Sequence, residues 1–121
     1  MKRLVLGALL VALPLGAVQA MNVAIFMQKA DALEKKGMTA LFSSDYRLLK
    51  SEVVNASKLL RAERLAAERA GRRGFYCPPA KSGIKSNEIL AHFRAIPAAQ
   101  RQRIEVKDGL RGLLARKLPC R

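Results

Sequence analysis

The chain of 121 residues carries 23 Lys or Arg against 9 Asp or Glu, a formal charge of +14, and half of its residues are hydrophobic. That length holds one domain and excludes a large multidomain enzyme. With six aromatics, one His, two Cys and no Trp, few side chains are available for catalysis.

Met1-Lys2-Arg3 precedes an uninterrupted apolar run from Leu4 to Val18, and Val18 and Ala20 stand at the −3 and −1 positions of a cut after Ala20. Residues 1–20 therefore read as a cleaved secretory signal peptide. The run is shorter than the ~20 residues that span hydrocarbon, and Gly7, Pro14 and Gly16 weaken it as a helix, so a retained anchor is not expected. No Cys follows the cut to take a lipid. Translation from Met21 is the competing reading, against which the basic start of the chain speaks. Cleavage leaves residues 21–121 as a single domain with 21 basic and nine acidic residues, a net of +12, in an oxidising periplasmic or secreted setting. A domain of this size buries roughly two-thirds of its unfolded surface, enough for one thin core.

Val23, Phe26, Met27, Ala30 and Leu33 form one helical stripe, with Asn22 as N-cap and Gly37 past the end, which predicts a helix over 23–36. An apolar connector, Met38 to Phe42, leads to Ser43-Ser44 and Asp45, a helix start. The second helix runs to Ala70 with Leu49, Val53, Ala56, Leu60 and Ala67 inward and Tyr46 and Leu59 flanking. Gly71, Gly74 and Cys77-Pro78-Pro79 make residues 71–83 a loop. Ser86 caps a third helix carrying Ile89, Leu90, Phe93 and Ile96, which stops before Pro97, and Pro97 opens a short extra turn. The last helix carries Val106, Leu110, Leu113, Leu114 and Leu118, and Gly109 and Gly112 within it each weaken it by roughly 1 kcal/mol against Ala. No strand alternation appears. The expected fold is all-α, a small four-helix domain.

Two Cys in an exported domain most simply pair, and Cys77 with Cys120 would close a loop around the third and fourth helices. The competing reading is a thiolate at Cys77 activated by His92, which lacks a third, orienting group. Two Cys and one His fall short of the four ligands of a closed zinc site, so neither metal nor cofactor is expected. No residue is assigned a catalytic role.

The surplus positive charge would draw any polyanion. Arg73-Gly74-Phe75-Tyr76 matches the start of an RNA-recognition strand motif, but Cys77, Pro78 and Pro79 stand where that motif needs small and aromatic strand residues, and nucleic acid is not the expected partner. Arg64, Glu68 and Arg72 form an i, i+4 ladder of the kind found on a solvated helix face. Leu48, Val54 and Leu65 lie off the main stripe, where a second helix layer or a homodimer would cover them.

Phe75-Tyr76-Cys77-Pro78-Pro79, Gly83, Ile89-Leu90, Phe93, Ile96-Pro97, Arg101, Leu110, Leu113-Leu114 and Leu118-Pro119-Cys120 carry a family likeness. Over about residues 75–120 the chain resembles the type VI secretion amidase-immunity protein family. Members share an aromatic-Cys-x-Pro loop, an amphipathic helix ending in Pro, and a last helix closing on Pro-Cys. The family's long helix carries glycines that Ser51 to Leu65 lacks, and its extra upstream cysteine has no counterpart here. The resemblance implies a periplasmic, non-enzymatic immunity protein that occludes a cell-wall-degrading effector, with that effector as its protein partner. The alternative is a basic envelope protein that binds anionic polymer, lipid or an acidic periplasmic protein.

Overall fold

A computed structural model describes residues 20–121, which form five α-helices and one 3-10 helix, with no strand among the described residues. The signal-peptide reading lies, except for Ala20, outside them. Helix α1, Val23–Lys36, begins where the Asn22 side chain accepts a hydrogen bond from the Ile25 N–H at 2.9 Å. It stops at Gly37, whose φ of 62° suits glycine. A 3-10 helix, Gly37–Phe42, follows, and α2, Ser44–Arg69, starts with the Ser43 hydroxyl accepting from the Asp45 N–H. The chain then runs without helix to α3, Ser86–Ala95.

Two expectations need correction. The domain has five α-helices rather than four, because the short turn expected after Pro97 is itself a helix of four residues. Ile96 is extended ahead of the proline, and the chain winds again through α4, Ala98–Arg101, before α5, Val106–Lys117. Arg101 ties this turn down by donating to the carbonyls of Ile96 and Arg94 at 2.9 and 2.8 Å. Ser86 is also not the N-cap of α3. Lys85 takes that place, because its carbonyl already accepts from the Glu88 and Ile89 N–H groups, and Ser86 falls inside the first turn.

The core is built from the predicted stripes: Val23, Phe26, Met27, Ala30 and Leu33 of α1, Leu49, Ala56 and Leu60 of α2, Ile89 and Phe93 of α3, and Val106, Leu110 and Leu113 of α5. Phe93, fully buried, meets Phe26 edge to face with ring centroids 5.3 Å apart. Val53 and Leu114 pack against this core while only partly buried, and Ala67 and Leu118 are half-buried outside it. The chain start is clamped to the α4–α5 link. The Val23 N–H donates to the Ile104 carbonyl at 2.8 Å and the Val106 N–H to the Met21 carbonyl at 2.9 Å. At the other end Cys77 and Cys120 are joined by a disulfide with Cα atoms 4.9 Å apart, beside a 2.8 Å bond from the Cys77 N–H to the Leu118 carbonyl.

The two glycines of α5 differ in kind. A Cβ on Gly109 would stand 2.8 Å from the Phe93 ring and 3.3 Å from Val23, so this glycine lets α5 approach α3 and α1. A Cβ on Gly112 would meet only the His92 ring at 3.4 Å, an ordinary contact. Gly109→Ala is therefore expected to destabilise by about 1–3 kcal/mol through overpacking. Gly112→Ala should gain up to about 1 kcal/mol of helix propensity. Urea unfolding of the two variants measures the opposite signs, and a shared sign would contradict the close-approach reading.

Candidate functional site

The described residues form an open apolar groove of about 440 Å³. Phe26, Ala30 and Leu33 of α1, Tyr46, Leu49 and Val53 of α2, and Ile84, Ile89 and Leu90 around the start of α3 line it, with Ala40, Leu41 and Val54 contributing at its edges. Its existence follows from unequal helices. The 26-residue α2 is packed by the 12-residue α5 along its C-terminal half, where Lys107 and Arg111 reach Glu63 at 3.2 and 2.8 Å. The groove runs beside the N-terminal half of α2, and no α5 residue lines it.

The rim is formed by the apolar connector. In a 3-10 helix residues i and i+3 eclipse, so Gly37 and Ala40 share one column and turn Ala40 inward. The other two columns, Met38 with Leu41 and Thr39 with Phe42, then face away. Met38 and Phe42 are 81% and 84% exposed, and Leu41 and Val54 are about half exposed. Leu48, off the main stripe, is also exposed, whereas Leu65 is half-buried.

Electrostatically the surface is one-sided. Lys29 pairs with Asp45, Arg64 with Glu68, Arg94 with Asp31 and Glu34, Lys107 and Arg111 with Glu63, and Lys117 with Glu88. Fifteen of the 21 basic residues from 21 onward therefore hold no Asp or Glu carboxylate among the described residues, and only Glu52 and Glu105 of the nine acids lack a cation. Burial acts to raise the Glu63 carboxyl, but the Lys107 hydrogen bond and the Arg111 charge outweigh it and hold its pKa low. Arg111 also lies over the Phe75 ring, and Arg64 over the Tyr76 ring, each at 5.1 Å from the centroid. Such exposed pairs contribute little stability singly.

The sequence candidates separate here. Cys77 and Cys120 come together as the disulfide, so Cys77 offers no thiolate to His92. His92 instead lies beside Gly112 and Phe93, with its Nδ1 buried and lacking a hydrogen-bond partner. Burial, seconded by the Arg116 charge, lowers its pKa below the usual 6.5, while the Gly109 backbone acts the other way. A lowered imidazole pKa means that the unfolded chain takes up the proton first. Stability from this group is complete above about pH 6.5 and is lost as the pH falls through that value towards the folded pKa. Denaturant midpoints measured across that range should fall on acidification, and His92→Gln should flatten the fall.

Among the described residues no group of three or more His, Cys, Asp or Glu is placed to hold a metal ion, and no helix is long and apolar enough to cross a membrane. Comparison with known protein families, with characterised proteins and with solved structures found no match. The groove is the feature sequence reading missed. Its signal was the connector Met38-Thr39-Ala40-Leu41-Phe42, too apolar for a solvated link and too short to bury itself.

Proposed function

We propose that the protein is an exported, non-enzymatic binding protein of immunity type, which neutralises a cell-wall-degrading effector by covering its cleft. The observation that carries this reading is the unneutralised cationic surface on a disulfide-stapled helical frame. A cationic field speeds encounter with an acidic protein, and a stapled frame presents fixed shape, the two requirements of a fast and specific inhibitor. The resemblance of residues 75–120 to the amidase-immunity family supplies the class of target. The test uses the oxidised protein as bait for envelope and culture extracts at physiological salt. One acidic hydrolase, retained in equal stoichiometry and losing its wall-degrading activity on binding, is the expected result. An effector that kills cells equally with and without this protein in the periplasm would sink the reading.

The same fifteen cations without an Asp or Glu partner favour a second reading, a basic envelope protein that binds anionic polymer or lipid. It predicts a heterogeneous bound fraction that modest salt removes, since exposed charges are screened over about 10 Å at 0.1 M salt.

A further inference from the structure

We infer that the groove between α1, the N-terminal half of α2 and the start of α3 is a docking slot for one amphipathic helix of a partner protein, apolar on one face and acidic along its flanks. The inference rests on the reading of this chain as a protein-binding protein and names the surface and the chemistry of what it binds.

The shape argues for a helix. Beside the C-terminal half of α2, α5 packs against both α2 and α3, whereas beside the N-terminal half no helix of the described residues takes that place and Phe26, Ala30 and Leu33 of α1 line the groove. α2 exceeds α5 by about 14 residues, or roughly 21 Å at 1.5 Å per residue, which is the length of about four helical turns. The slot thus continues the helical layer at the place where the described residues supply no helix. Helix-in-groove recognition places apolar anchors at i, i+3, i+4 and i+7 into such a surface. Leu41 and Val54, which line the groove and are 51% and 42% exposed, give those anchors apolar walls.

Charge argues for acidic flanks. Lys50 lines the groove, and Lys85 stands in the chain between the lining residues Ile84 and Ser86. Neither holds a carboxylate among the described residues. The one acid in the wall, Glu34, is already taken by Arg94 at 2.7 Å. An apolar helix edged with Glu or Asp would complete this rim, and one edged with Lys would be repelled.

The test measures anisotropy of two labelled peptides, each a helix of about four turns with a Leu stripe, one flanked by Glu and one by Lys, against the oxidised protein. The Glu-flanked helix should bind at least about tenfold more tightly, with affinity falling as salt rises. Leu41→Glu with Val54→Glu, both at already exposed positions, should weaken it at least about tenfold with an unchanged circular dichroism spectrum. Lys50→Glu with Lys85→Glu should reverse the preference between the two peptides. Equal binding of both peptides, or none, would overturn the assignment. So would dodecanoate filling the groove and displacing the helix, which would make it an acyl-chain site, or a dimer in sedimentation that Leu41→Glu with Val54→Glu dissolves, which would make a second copy the occupant. An effector that is captured and inhibited equally by native protein and by the Leu41→Glu, Val54→Glu variant would overturn the groove assignment and leave the proposed function standing. Failure to inhibit any effector, with the Glu-flanked helix still bound, would do the reverse.

Discussion

Replacing Cys77 and Cys120 together by Ser is expected to lower the unfolding free energy by about 4 kcal/mol, the chain-entropy value for a closed loop of this length. The bond joins residues 43 apart and encloses α3, α4 and α5. It matters more here than in a larger domain, because a single thin core supports a total of only about 5–15 kcal/mol. The segment it holds has little else to hold it. From Arg72 to Lys85 only Tyr76 is buried, and among the residues after α5 neither Pro119 nor Arg121 is. A loss of that size corresponds to a fall in melting temperature of about 20 °C for a domain near 100 residues. Melting curves with and without reductant check it. A curve indifferent to reductant would show that the helices hold this end without the covalent link.

Phe93→Ala is expected to have an effect of similar size, about 3–5 kcal/mol, because a fully buried ring leaves a cavity that its neighbours cannot close. Phe26 would lose its edge-to-face partner and Gly109 the ring against which α5 is seated. Phe42→Ala offers the informative contrast. That ring is 84% exposed, so its removal should change stability by no more than about 0.5 kcal/mol. Urea unfolding separates the two variants, and equal sensitivity at both positions would contradict the division between core and rim.

Local order was legible in the sequence wherever one helical face met the core. The stripes of α1 and α5 and the breaks at Gly37 and Pro97 read correctly, since periodicity and backbone chemistry act over a few residues. Ser86 misled because its side chain suits a cap, whereas the cap position was decided by the Lys85 carbonyl. Val53 packs against the core as its spacing predicts, but it is only partly buried because it also lines the groove. The groove is a vacancy left by the relative lengths and crossings of α2, α3 and α5, and a vacancy has no residue pattern of its own. The cationic excess was plain from composition, but how few of the cations find a carboxylate depends on which faces the fold brings together.

The clamp between the chain start and the α4–α5 link bears on the order of folding. Asn22 and Glu105 bridge across most of the domain, and the amides of Val23 and Val106 find their partners only when both segments are present. Contacts of such long sequence separation carry a loop-closure penalty before they are rewarded, so they form late. The seating of α1 against α5 thus waits for the last quarter of the chain. A nascent chain carrying only α1 and α2 has a hairpin with an open apolar side and no way to complete it. Until the C-terminal helix emerges, that apolar side has no partner from this chain's own α5, and the pairing of the two ends is the step that closes the core.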